Sequence, residues 1–153
     1  MLPHEEIRRL PMGKNKFTGI WRLVAYETNQ ADGLVAYPYG KYAIGMIAYD
    51  EHGHMSVQIM RPDRPAFFSG DMRYGAPEEI RAAFDGYLAY FGNYEVTDKE
   101  GKVIHHITGS FFPGWVGQDR MFSFEFSGDR LTLKSLPVPQ ASTMVTWVWE
   151  REV

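Results

Sequence analysis

Five histidines carry most of the acid–base potential of this chain, because it contains no cysteine. Without thiols there is no disulfide, no thiol catalysis, no iron–sulfur cluster and no cysteine-built zinc site. His105 stands apart from the other four. In the run Val103–Phe112 alternate residues share a face, which groups His105 with Val103, Ile107, Gly109 and Phe111, and His106 with Ile104, Thr108 and Ser110. Imidazole titrates near neutrality, so a histidine on an apolar face is either a pocket acid–base group or a buried neutral ring donating to a backbone carbonyl. Both readings stay open. Under the first, Tyr87 is its expected catalytic partner.

His52, His54, His105 and His106, with Asp50, are side-chain types that first-row metals take. Their spacing argues against a metal, since no His-x-x-x-His helix and no Glu at ligand spacing occurs. No metal and no cofactor is expected. Arg61-Pro62-Asp63-Arg64-Pro65 holds two guanidiniums between stiff prolines. It can clasp a carboxylate at a rim, or close on itself through Asp63. No Ser-His-Asp order, phosphate-binding glycine loop or Gly-x-Ser-x-Gly is present, so hydrolase and nucleotide readings lack support.

The elements that must position these groups are short β-rich runs separated by turn clusters. Gly19–Glu27, Tyr42–Tyr49, His54–Arg61, Asn93–Thr97, Val103–Phe112, Arg120–Ser127, Arg130–Lys134 and Thr143–Arg151 make eight, with Leu34–Tyr37 a ninth candidate. Nearly all the connections are too short for a parallel crossover, so the sheet is mainly antiparallel. Eight such strands in one small chain make a closed barrel or a sandwich. One segment departs from this pattern. After Pro77, the apolar residues Ile80, Ala83, Phe84, Tyr87, Leu88 and Phe91 recur at helical spacing, which predicts an amphipathic helix of about three turns. It is expected at the mouth of a barrel, or else on the outer face of the sheet.

Alternation also sorts the barrel's faces. Val145, Trp147, Trp149 and Arg151 point inward in the last strand, and Phe122, Phe124 and Phe126 in Arg120–Ser127. The runs 42–49 and 54–61 are apolar on both faces and give no clear parity. Aromatics make up 15% of the 153 residues, so the interior is either a filled core or the wall of an apolar pocket. Gln58, Tyr87, Tyr94 and His105 are its candidate polar groups. Phe67, Phe68, Phe111, Phe112 and Trp115 fall near Gly and Pro in loops, as a hydrophobic rim or equally a subunit interface, which keeps a homodimer open.

Net charge is −3 with no basic run, so no electrostatic footprint for nucleic acid exists. The longest uncharged apolar stretch, Tyr42 to Tyr49, is too short for a membrane span. Residues 1–18 read as a charged N-terminal arm without a secretory apolar core, and residues 19–153 as one domain. A cytoplasmic protein is expected.

Gly19-Ile20-Trp21-Arg22 resembles the opening strand of lipocalin-type barrels, in which a base-closing Trp is covered by an Arg from the final strand. Trp21 and Arg151 take those places here. The likeness extends through Gly53-His54-Met55-Ser56-Val57-Gln58, Met60-Arg61-Pro62-Asp63-Arg64-Pro65 and Gly86-Tyr87-Leu88-Ala89-Tyr90-Phe91-Gly92 to Tyr94-Glu95. Val103-x-His105-His106, Phe112-Pro113-Gly114-Trp115-Val116-Gly117, Gly128-Asp129-Arg130-Leu131-Thr132-Leu133 and Trp149-Glu150-Arg151 complete it. The chain therefore resembles the bacterial and fungal lipocalin-like domain family. That resemblance implies an all-β, closed antiparallel up-and-down barrel of about eight strands with one amphipathic helix near its opening. It implies no single reaction, since relatives include carriers and enzymes that cyclise or isomerise natural products. One departure is Phe122, where an interior arginine is expected, with Arg120 two residues earlier on the same face. Any anionic-ligand expectation taken from the family weakens accordingly.

The leading expectation is binding of a small, mostly apolar molecule inside the barrel, with aromatic compounds among the candidates. Gln58, Met60, Tyr87, Tyr94, His105, Phe111, Arg120, Phe122, Phe124 and Trp147 are the expected ligand-binding residues. An enzyme of the cyclase or isomerase type, using His105 and Tyr87, is the alternative. A structural domain with a filled core is the third.

Overall fold

The computed structural model describes residues 16–135 and 143–152. Nine strands occur in it: β1 (Gly19–Asn29), β2 (Val35–Ala36), β3 (Ile44–Tyr49), β4 (His54–Met60), β5 (Tyr87–Thr97), β6 (Lys102–Ser110), β7 (Asp119–Ser127), β8 (Arg130–Ser135) and β9 (Met144–Arg151). A helix, α1 (Pro77–Asp85), precedes β5. All pairings are antiparallel; from β3 onward each strand pairs with the next, and β1 takes both β3 and β9. That last pair of ladders closes an eight-stranded barrel, with the two-residue β2 as an appendage on β1. Among the described residues closure leaves no long unpaired edge, which suits a chain this rich in apolar strands.

The two ends of the barrel differ. At one end the strands are joined by tight connections at 50–53, 98–101 and 128–129; at the other, residues 30–43, 61–86 and 111–118 make long ones. In the first of the tight turns the Asp50 carboxylate accepts the backbone N–H groups of His52 and His54, 2.8 Å each, and holds the His54 ring at 2.7 Å. His52 and His54 thus belong to a hairpin end. In the long 61–86 connection Asp63 pairs with Arg61, while Arg64 donates to the Ala83 carbonyl and lies over the Tyr87 ring. The proline-braced loop is tied to itself and to α1.

The narrow end is solid. Phe17, Trp21, Tyr49, Tyr94, Phe124 and Phe126 pack there, with Phe17 edge-on to Tyr49, Phe124 and Phe126 at 5.0–5.1 Å. Residues 1–15 of the expected arm lie outside the described residues; beyond them Lys16 is exposed and Phe17 turns inward. Its side chain is fully buried and its carbonyl accepts the Trp21 indole N–H at 2.8 Å. The expected Arg151–Trp21 pair is present, the guanidinium 4.2 Å from the ring centroid and donating to the Thr18 and Lys16 carbonyls. Cutting Arg151 back to Met should cost about 2 kcal/mol through the lost cation–π contact and carbonyl bonds, read as a fall in urea midpoint. An unchanged midpoint would mean that the plug holds without its cap.

The helix is shorter than its apolar pattern suggests. It ends at Gly86, whose N–H closes on the Ala82 carbonyl at 3.0 Å, and Tyr87, Leu88 and Phe91 belong to β5. Glycine ends helices readily, and two neighbouring ladders then hold 87–97 extended. Alternation runs Leu88, Tyr90, Gly92 and Tyr94 inward, and Tyr87, Ala89, Phe91 and Asn93 outward. At the start of α1, Glu79 accepts the N–H groups of Ala76 and Phe68, 2.8 Å each, which stitches the loop to the helix. Phe84 meets Phe111 at 5.0 Å, so α1 sits at the wide end.

Candidate functional site

Above the plug, His105 on β6 is fully buried between two tyrosines from opposite sides. Its Nε2 lies 2.7 Å from the Tyr49 hydroxyl and its Nδ1 2.7 Å from that of Tyr90. Burial, with the nearby charges of Arg120 and His106, lowers its pKa to about 3. The ring is therefore neutral near pH 7 and carries one N–H. One tyrosine accepts from it and the other donates to it. These hydroxyls, rather than a backbone carbonyl, satisfy the imidazole. Both phenols are themselves pushed up by burial, Tyr90 against the pull of Arg120.

Toward the wide end, Arg120 is the register partner of His105 across β6 and β7. Its guanidinium carbon lies 4.9 Å from the Trp115 ring centre, 5.4 Å from Phe122, 5.5 Å from Trp147 and 5.9 Å from Tyr90. Tyr26 packs at a tilt against Trp147 at 5.8 Å and against Tyr39 at 4.9 Å. Burial raises the Tyr39 hydroxyl to about 12. Trp115 reaches Phe111 at 5.7 Å, and Phe111 reaches Phe84 on α1. A continuous aromatic path thus runs from the partly exposed helix to the guanidinium.

The expected site residues divide into three places. His105, Arg120, Phe122 and Trp147 come together inside, with Phe111 near the mouth. Tyr94 and Phe124 belong to the plug, and the Tyr94 hydroxyl donates to the Asp50 carbonyl at the turn. Gln58, Met60 and Tyr87 are corrections, because all three face outward. They line a shallow outer concavity of about 310 Å³ with Ile20, Ile44 and Met46. On β4 the inward set is Met55, Val57 and Ile59. His105 and Tyr87 therefore lie on opposite sides of the wall and do not form an acid–base pair.

Reading by pattern missed Tyr26, Tyr39, Tyr49 and Tyr90 as site groups. Only Tyr90 had a local signal, two residues from Leu88 and four from Tyr94. Outside the barrel, His106 sits between Asp119 and Glu95, 2.7 Å from each through opposite ring nitrogens. The carboxylates cannot converge on one ion from there. Among the described residues no group of three or more His, Asp or Glu is placed to hold a metal, and no helix is long and apolar enough to cross a membrane.

Comparison with known proteins places these features in a family. The lipocalin-like domain family matches residues 18–152. A curated relative, the 4'-hydroxy-3'-methoxypropiophenone carrier protein of Aspergillus oryzae, is 33% identical over 88 residues, 54% of this chain and 79% of its own. A lipocalin-like protein from Bacteroides uniformis superposes with a TM-score of 0.47 at 14% identity, over 89% of this chain and 98% of its own. An uncharacterized protein from Bacteroides eggerthii gives 0.44 at 16%, over 89% and 99%. With a barrel closed by β1 and β9, a Trp–Arg base and a family match along almost its whole length, this chain belongs to the lipocalin-like domain family.

Proposed function

We propose that the upper half of the barrel binds a small, mostly apolar, aromatic molecule that enters past α1. The observation carrying this reading is the contrast between the ends. One is packed solid by aromatic rings. The other presents Phe84, Phe111 and Trp115 as an aromatic path leading inward to Tyr90, Trp147 and Arg120. Rings of this kind stack on a planar guest, and tyrosine and arginine supply the few polar contacts that orient it. The fungal relative is named as a carrier of 4'-hydroxy-3'-methoxypropiophenone, a methoxyphenol bearing a ketone and a molecule of that class.

Burying about 300 Å² of ligand at ~25 cal/mol/Å² contributes roughly 7.5 kcal/mol before association costs, enough for micromolar affinity when the site is preformed. Titration with N-phenyl-1-naphthylamine, a neutral apolar fluorophore, should give saturable blue-shifted emission. Trp115→Ala should weaken it several-fold, because the ring links mouth to interior. Absence of any saturable signal, together with no small molecule retained in native mass spectrometry of protein from its own host, would leave the filled-core reading in its place.

A further inference from the structure

We infer that the molecule bound in the barrel carries a carboxylate and that Arg120 is the residue that recognises it. This rests on the interior being the binding site, and it goes further by fixing the charge of the guest. The guanidinium of Arg120 projects among four aromatic rings with no ion pair among the described residues. Its Nη1 is buried without a hydrogen-bond partner. Exposed carboxylates at that end of the barrel are paired with other residues: Asp119 with His106, Asp85 with Arg81 and Asp63 with Arg61.

Ring faces offset part of the cost of burying a cation, and the Tyr90 hydroxyl accepts from Arg120, but Nη1 is left without an acceptor. A neutral guest leaves that charge uncompensated. A carboxylate completes it, because its two oxygens match the planar donor fork of a guanidinium. The flanking Trp115, Phe122 and Trp147 rings hold the fork in place and present flat faces to the body of the guest. An aromatic acid therefore fits both halves of the site. His105 contributes indirectly: its neutral ring adds no second positive charge and engages the Tyr90 hydroxyl beside Arg120.

The test compares two probes of one shape, naphthalene-2-carboxylate and naphthalene-2-carboxamide, by quenching of tryptophan fluorescence at neutral pH. The unaltered protein should prefer the carboxylate by roughly ten- to a hundredfold, the range of a charge-assisted pair. Arg120→Met should erase that preference, the carboxylate losing far more affinity than the carboxamide. Arg120→Lys, a point charge without the fork, should keep only part of it. Equal affinity of the unaltered protein for both probes overturns the inference and leaves interior binding standing, as does a preference that survives Arg120→Met. Binding of neither probe overturns both readings. The first comparison needs no variant, so a poorly folding Arg120→Met does not shield the inference.

Discussion

Replacing Gly92 with alanine is expected to cost the fold about 3 kcal/mol or more. Gly92 is buried in β5, where the register with β6 slips between Phe91 and Gly92. A Cβ built there would stand 1.9 Å from the His106 carbonyl oxygen, 2.9 Å from the Thr108 nitrogen and 3.0 Å from the His106 carbonyl carbon. All three obstacles are backbone of the neighbouring strand, so no side-chain rotation relieves the overlap. The ladder itself must open, and each bond lost adds about 1 kcal/mol to the overpacking. The strand that moves also carries His105, so the Tyr49 and Tyr90 contacts go with it. Urea unfolding at unchanged m-value reads the effect. Gly101→Asn is the control, because Gly101 has a φ of 65° and open space around it, and asparagine tolerates that conformation. A loss below about 1 kcal/mol for Gly92→Ala would mean that the bulge gives way cheaply.

The same stretch shows why some of the fold was legible and some was not. Alternation located the inner faces of β6, β7 and β9 because each has one side clearly more apolar: His105 with Val103 and Ile107, Phe122 with Phe124, Trp147 with Trp149. It failed on β3 and β4, where the outer wall is itself apolar. Ile44 and Met46 are 52% and 41% exposed, so the pattern carries no parity and Gln58 and Met60 fall on the wrong side. Tyr87, Leu88 and Phe91 fit a helical stripe as well as a strand. Only Gly86 marks the break, and the ladders on both sides decide it. The box around Arg120 was less legible still. Tyr90, Trp115 and Trp147 come from β5, the 111–118 connection and β9, and only closure of the barrel brings them together. The Trp21–Arg151 cap is equally distant in sequence, and it was legible through family resemblance rather than through periodicity.

Stability should fall as the pH drops from 6.5 to 5, by roughly 1.5–2 kcal/mol, and His105 should be the cause. Its pKa is about 3 in the folded protein because burial comes first and the charges of Arg120 and His106 add to it. In the unfolded chain it returns to the ordinary value near 6.5. Between these two values the unfolded state holds a proton that the folded state refuses. Stability therefore rises with pH across that interval, by up to about 1.4 kcal/mol per pH unit. Other groups act elsewhere on the scale. Asp50, Asp63, Asp71 and Glu79 have lowered folded values, so their contributions persist until the pH falls below the usual carboxylate range. His106 is raised, first by its hydrogen bond to Asp119, so its contribution is full below 6.5 and is lost as pH climbs through its folded value. The opposing slopes place a maximum near pH 6.5. His105→Gln isolates the effect, because the amide keeps one donor and one acceptor for Tyr49 and Tyr90 but does not titrate. Urea midpoints for this variant should be flat from pH 6.5 to 5 where the unaltered protein falls. A flat profile in the unaltered protein would show that the imidazole takes up its proton inside the barrel. His105 would then be a cation beside Arg120, and the neutral ring joining Tyr49 to Tyr90 would be the wrong description of the barrel's centre.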